Sequence, residues 1–273
     1  MTSEINWLVE EYINDDDTRL VEEIKRQGYT VKILPHAFEL DAYKANTIGD
    51  YFYKTFFPEG SRVIFHGSTG TTRLINRYVN WNPGTFFNEK DYLCSRYYRK
   101  YKGYLLNEDY ICMPLYEALD HINSYAAANY RFIRPDSPYK TFPGHVISPI
   151  GEQMFLRKYC LTEDNLYDWV YLSPVKKIYY EMRLLFVGGK FITGSFYRKD
   201  GETCYETMTY PDGISWLPSL PVPNTPIIVD IASTILGFKV VEIGSVTSCS
   251  LYECDMEKVV SSLSNYVSQM EEE

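Results

Sequence analysis

The sequence has no CxxC pair, no apolar run approaching membrane-spanning length and no surplus of basic charge. Each absence removes a class of protein. Six cysteines, Cys94, Cys112, Cys160, Cys204, Cys249 and Cys254, are scattered along the chain, without the usual spacings of structural zinc sites and thiol redox centres. They read as reduced thiols. A formal net charge of -9 opposes long-range attraction to a phosphate backbone, because non-specific nucleic-acid binding needs an excess of Lys and Arg. No nucleic-acid partner is expected. Residues 1–10 carry acidic residues early and no basic-then-apolar run, so no secretory signal or membrane partner is read and the cytoplasm is expected by elimination. The four histidines, His36, His66, His121 and His145, show no motif spacing, and no Ser-His-Asp or Cys-His arrangement is legible. The stretch His66-Gly67-Ser68-Thr69-Gly70 lacks the Gly-Lys-Ser/Thr ending of a phosphate loop and reads as a turn at the end of a strand.

What remains is a chain of 273 residues, 45% hydrophobic and 23% charged, large enough to divide into two or three packed lobes. Residues 6–9 read as a strand. Leu20, Val21 and Ile24 follow at helical spacing behind the candidate caps Asp15, Asp16 and Asp17, and Gly28 ends the helix. Further strands over 30–34 and 62–65 complete the pattern of a parallel α/β lobe. Between 80 and 114 the sequence is aromatic and turn-rich, and its periodicity carries no signal. Beyond it we expect a short helix from about 114 to 121, a hairpin with strands over 130–134 and 145–148, a helix over 154–158 and a strand over 169–172. Two strands over 180–187 and 190–196, joined by Gly188-Gly189, form the clearest hairpin. A second hairpin pairs 227–232 with 239–243, and a last helix behind Asp255 carries Met256, Val259, Val260, Leu263, Tyr266, Val267 and Met270 on one face.

The second hairpin carries charge in its middle. Asp230 and Glu242 each lie among apolar β-formers, and an ionised carboxylate in such surroundings needs a partner. Two readings stand at this level: the acids converge on a hard cation such as magnesium, or both face solvent from a half-exposed sheet. Basic residues lie elsewhere, with Arg134 at a strand end, Lys140 in the following tip, and Lys176 and Lys177 beyond another strand. Glu181 and Arg183 alternate along one strand and so share a face, either as an ordinary charge pair or as two groups lining a site.

The order of these segments resembles a known family. Phe132-Ile133-Arg134-Pro135-Asp136-Ser137 with Lys140-Thr141-Phe142 and Gly144 looks like the first nucleotide-binding hairpin of an ATP-grasp clade in which Arg stands where other ATP-grasp enzymes have Lys. Ser173-Pro174-Val175-Lys176-Lys177-Ile178, Glu181-Met182-Arg183, Gly188-Gly189-Lys190 and Gly194-Ser195-Phe196-Tyr197-Arg198 are similar to its central block. Asp230-Ile231-Ala232 and Val241-Glu242-Ile243, followed by Leu251-Tyr252 and Cys254-Asp255, resemble its magnesium block.

The resemblance implies an N-terminal pre-ATP-grasp α/β lobe over 1–125, and two α+β lobes over 126–273 that clasp ATP. It implies that Arg134 and Lys140 contact phosphates, that Lys176 approaches the nucleotide, that the backbone around Tyr171 and Leu172 meets adenine, and that Glu181 belongs to the nucleotide site. Arg183 and Arg198 would neutralise transferred phosphate or hold a substrate carboxylate, and Asp230 and Glu242 would ligate Mg2+. One position departs from the pattern: the Asn usual two residues after the second acid is Gly244, so Ser245 or water would complete the metal shell. The implied activity is ATP-dependent carboxylate-amine ligation through an acyl phosphate, joining an amino acid to an amino acid, peptide or protein. An ATP-binding regulatory module with weak or no catalysis is the alternative. The substrates would be small molecules or peptides, and a homodimer is left open.

Overall fold

A computed structural model describes residues 4–11, 17–35, 53–124, 130–139, 141–149, 151–208 and 210–270. By contacts the chain divides into two compact units, one of residues 1–87, 179–231 and 242–273, the other of 88–178 and 232–241. This partition interleaves the chain.

The first unit opens with a parallel sheet in the order β2-β1-β3-β4, built from β1 (Ile5–Glu10), β2 (Thr30–Leu34), β3 (Arg62–His66) and β4 (Asn82–Gly84). Helix α1 (Asp17–Arg26) buries Leu20 and Ile24, the positions marked by the sequence spacing. It stops at Gly28, whose φ of 82° suits a residue without Cβ. Helix α2 (Thr69–Tyr78) begins where Ser68 Oγ accepts the Thr71 amide at 3.1 Å. The stretch His66–Gly70 is therefore a strand end running into a capped helix.

The same unit contains most of an antiparallel sheet with the order β11-β10-β9-β12-β13. Its strands are β9 (Ile178–Val187), β10 (Lys190–Lys199), β11 (Glu202–Met208), β12 (Ile227–Thr234) and β13 (Gly237–Ser245). Gly188 and Gly189 turn β9 into β10 with φ of 60° and 73°, the two positive angles that a twist-matched two-residue turn requires. Strand β11 has no counterpart in the sequence reading. Helix α6 (Met256–Ser268), capped by Asp255 on the Lys258 amide, buries Val259, Val260, Leu263 and Val267. Those four share one core with Trp7, Leu20, Ile24, Leu185 and Val187, each such burial contributing roughly 1.5–3 kcal/mol before the entropy of ordering.

The second unit is an antiparallel sheet with the order β5-β8-β6-β7: β5 (Ile111–Pro114), β6 (Arg131–Pro135), β7 (His145–Ile147) and β8 (Trp169–Pro174). The expected β6–β7 hairpin is present, with Arg131 opposite Ile147 and Ile133 opposite His145. Helix α3 (Cys94–Lys100) precedes β5 in the chain; Pro114 ends β5, and α4 (Leu115–Ser124) begins one residue later, so the expected helix start is shifted by one. Its residues Leu115, Ala118, Leu119 and Ile122 pack with Ile133, Phe142, Val170, Leu172 and, from α5 (Glu152–Lys158), Phe155.

Candidate functional site

In the first unit the candidate residues gather on one face of the antiparallel sheet. Glu181 and Arg183 alternate on β9, and the register between β9 and β10 slips between Phe196 and Arg198. That bulge gives Tyr197 an extra place in the strand, since a bulge re-aims side chains locally. Its hydroxyl donates to Glu181 Oε2 at 2.8 Å, while Arg198 Nη1 donates to Glu181 Oε1 at 3.2 Å. Glu181 is buried and the Arg198 side chain is half exposed.

Arg183 turns to the neighbouring strand. Its Nε donates to Asp230 Oδ1 and its Nη2 to Asp230 Oδ2, both at 2.8 Å, and its Nη1 donates to the Ser250 carbonyl at 2.7 Å. Both side chains are buried, Arg183 at 9% exposure and Asp230 at 4%. Desolvation of the guanidinium works against its charge. The Asp230 carboxylate and its hydrogen bonds outweigh that cost and hold Arg183 well above the usual arginine range. A parallel fork of this kind is the strong form of ion pairing, and Asp230 is not one of the solvent-facing acids that the sequence left open.

Aromatic rings close the group. The Arg183 guanidinium carbon lies 5.0 Å from the Tyr252 ring centroid and 5.8 Å from that of Tyr197. Tyr197 stacks on Tyr252 at 5.1 Å, and Tyr205 of β11 stacks on Tyr252 at 5.2 Å. Tyr252 adopts φ of 49°, a conformation that costs a bulky residue on the order of 1–3 kcal/mol and persists where surrounding contacts fix it. Burial, with the charges of Asp230 and Glu181, pushes the Tyr197 hydroxyl well above its ordinary range, so it stays a donor. Burial raises Tyr252 too, against the opposing charge of Arg183. Sequence reasoning assigned no role to Tyr197, Tyr205 or Tyr252. The visible signal was Tyr197 between Phe196 and Arg198, but the bulge that aims it is set by strand pairing.

Glu242 lies half-buried on β13, next to the strand of Asp230. Ser245 ends that strand in a structural post: its Oγ donates to the Phe86 carbonyl at 2.9 Å and accepts the Thr247 amide at 3.0 Å. A Cβ on Gly244 would stand 3.0 Å from both Cδ1 and Cγ1 of Ile228. Among the described residues no group of three or more His, Cys, Asp or Glu side chains is gathered to hold a metal ion.

The second unit holds the other candidates. Arg134 is buried at 8% exposure; its Nη1 donates to the Val241 carbonyl at 3.2 Å, and its guanidinium carbon lies 5.7 Å from the Tyr97 ring centroid. Lys176 pairs with Asp109. Lys140 lies outside the described residues. Tyr171 is buried against Tyr98 at 4.9 Å and Tyr110 at 4.7 Å, and burial, followed by Cys112 and Asp136, pushes its hydroxyl far up. Strand β8 is interior to its sheet. Tyr171 faces Cys112 and Arg134 across its two edges, and Leu172 faces Ile111 and Ile133. The pairing toward β5 ends at Leu172, while Ser173 pairs only with Phe132 of β6. The Ser173 hydroxyl is buried with no hydrogen-bond partner among the described residues.

No family model matches the chain, and no curated protein sequence matches it. Solved structures do. The crystal structure of the D-cycloserine synthetase DcsG aligns over 96% of this chain and 99% of its own, with a TM-score of 0.60 at 14% identity. The ATP-grasp ligase PsnB, complexed with a minimal precursor, aligns over 97% of this chain and 99% of its own, with a TM-score of 0.55 at 8% identity. D-alanine--D-alanine ligase from Bacillus anthracis aligns over 98% of this chain and 94% of its own, with a TM-score of 0.54 at 13% identity. The chain has the ATP-grasp fold, as the order of its motifs led us to expect. Among the described residues no helix is long and apolar enough to cross a membrane.

Proposed function

We propose that this chain is an ATP- and magnesium-dependent ligase that joins a carboxylate to an amine through an acyl phosphate. The observation that carries the reading is the buried fork between Arg183 and Asp230, flanked by Glu181 and Arg198, on one sheet face of an ATP-grasp fold. A buried acid and two arginines concentrated there suit a site built for phosphate charge and a hard cation.

The donor set fits magnesium. Asp230 and Glu242 are oxygen donors on adjacent strands, and magnesium is commonly held by one or two carboxylates with substrate phosphates and waters. A third protein ligand is not required. We assign Asp230 and Glu242 to the metal and leave Ser245 in its structural post. Held by Asp230 and Glu242, the ion would supply positive charge that offsets the charge developing during transfer.

The chain's own residues then have distinct tasks. Arg134 would grip phosphate, with Lys140 and Lys176 as further basic groups at the nucleotide, and Arg183 and Arg198 would offset charge on the transferred phosphoryl group. Glu181, tied to Tyr197 and Arg198, fixes the position of that second arginine. We extend the adenine contact, placed by resemblance on the backbone around Tyr171 and Leu172, to Ser173, where the pairing toward β5 has ended and the buried hydroxyl has no hydrogen-bond partner among the described residues. In the reaction a carboxylate oxygen attacks the γ-phosphorus and ADP leaves. An amine nitrogen then attacks the acyl carbon, the bond to phosphate breaks, and the surplus amine proton leaves to solvent or phosphate. The chemistry needs no protein nucleophile, and we propose an amino acid joined to an amino acid, a peptide or a protein.

A regulatory module that binds ATP without ligation is the second reading, favoured by Gly244 and by the engagement of Asp230 with Arg183. ADP release by the purified chain, measured against a panel of amino acids, peptides and carboxylates, separates the two. Turnover that rises with a particular carboxylate and amine pair supports the ligase. ATP binding with no substrate-dependent ADP release across the panel supports the module.

A further inference from the structure

Asp230 is occupied by another residue of its own chain. Both of its oxygens accept from Arg183 at 2.8 Å, so the fork covers one whole edge of the carboxylate. The pair is neutral as a unit, and it is buried where water screens little. A divalent cation approaching Asp230 therefore meets a guanidinium on the same carboxylate. Among the described residues, Asp230 is the acid within ion-pair distance of Arg183, while the neighbouring Glu181 is engaged by Tyr197 and Arg198. The remaining contacts of Arg183 are the Ser250 carbonyl and the faces of Tyr252 and Tyr197. These hold a cationic plane without neutralising it.

We propose that Arg183 is an exchangeable counter-ion. It neutralises Asp230 while the cation is absent, and it passes to an anionic oxygen of the bound nucleotide when the cation takes the carboxylate. The proposal rests on the reading of Asp230 as a metal ligand. Its consequence is a coupling that a fixed supporting arginine would not produce. A cation that binds alone leaves a buried guanidinium without an anion, whereas a cation that arrives with a nucleotide brings the replacement. Cation and nucleotide therefore bind cooperatively, and Arg183 is the residue that couples them.

The test measures Mn2+ affinity by electron paramagnetic resonance, with and without a non-hydrolysable ATP analogue. The wild-type chain is expected to bind Mn2+ weakly alone and more tightly with the analogue. Arg183→Met is expected to bind Mn2+ alone about tenfold more tightly than wild type, the scale of an ordinary coupling between sites, and to lose most of the enhancement by nucleotide. Arg183→Gln, which is neutral and keeps hydrogen-bond donors, should change in the same direction and covers the case in which the Met variant does not fold. Unchanged or weaker Mn2+ binding by a folded neutral variant overturns the exchange. Asp230→Asn separates the two levels. If it leaves Mn2+ binding with nucleotide intact, the metal assignment itself fails. If it abolishes that binding while the Arg183 variants bind no more tightly than wild type, only the exchange fails.

Discussion

Ile228 fills the space above Gly244, with two of its carbons 3.0 Å from the point a Cβ would occupy. The resemblance places Asn at position 244 as a third metal ligand, and here an apolar side chain on the neighbouring strand takes up that room. Restoring the side chain alone is not expected to restore a ligand. Gly244→Asn should lower stability by about 1–3 kcal/mol, the range for overpacking a well-filled interior, without tightening Mn2+ binding. Adding Ile228→Ala should relieve the clash. Urea unfolding and Mn2+ titration of both variants check this, and tighter Mn2+ binding by Gly244→Asn alone would show that the strand accommodates a third ligand.

Asp230→Asn keeps the shape of the side chain and removes its charge, yet it is not a silent change for the fold, because Asp230 is the anion of a buried fork. Removing one partner of a buried pair costs about 3–5 kcal/mol, since the other charge is left uncompensated. The variant should lose turnover and also unfold at markedly lower urea concentration. Asp230→Asn combined with Arg183→Met should recover part of the stability and none of the turnover. Equal unfolding midpoints for wild type and Asp230→Asn would contradict the buried pair.

Much of this architecture was legible because it is local. The spacing of Leu20 and Ile24, the Gly188-Gly189 turn, the Asp255 cap and the alternation of Glu181 with Arg183 each follow from a few consecutive residues. The site was only partly so. That Arg183 meets Asp230 depends on β9 lying beside β12, 47 residues apart in sequence, and the aim of Tyr197 depends on a bulge that appears only when two strands pair. Strands β4, β5 and β11 went unread for a different reason. Two of them lie in the aromatic stretch between 80 and 114, and β11 exposes most of both faces, so neither segment alternates apolar with polar residues.

His145 makes the second unit sensitive to acid. Its ring stacks on Phe155 at 5.6 Å, and its Nδ1 lies 3.2 Å from the Tyr159 hydroxyl. Burial and then the charge of Lys158 lower its pKa below the ordinary 6.5. The folded protein therefore binds fewer protons at this position than the unfolded chain. The stabilisation is fully present above about pH 6.5 and is lost as the pH falls from there through the lowered folded-state value. Urea unfolding at a series of pH values from 7.5 downward should show that slope, and His145→Gln should flatten it. A slope that persists unchanged in the variant assigns the acid sensitivity to another group.

Arg134 tests the nucleotide side of the reading. A guanidinium can keep one nitrogen on the Val241 carbonyl and lie against Tyr97 while presenting other donors to a phosphate, because its five N–H groups diverge in a fixed plane. A lysine ammonium is a single point and cannot do both. Arg134→Ala should weaken ATP binding by about tenfold or more, corresponding to roughly 1.5–3 kcal/mol for a lost charge-assisted bond. Arg134→Lys should fall between the two, with the charge kept and the geometry lost. Isothermal titration with ATP and Mg2+ reads both effects. Because the same contacts also hold the strand end, each titration needs a matching unfolding curve: weaker ATP binding with an unchanged midpoint identifies a phosphate contact. ATP affinity unaltered in the alanine variant removes Arg134 from the nucleotide site.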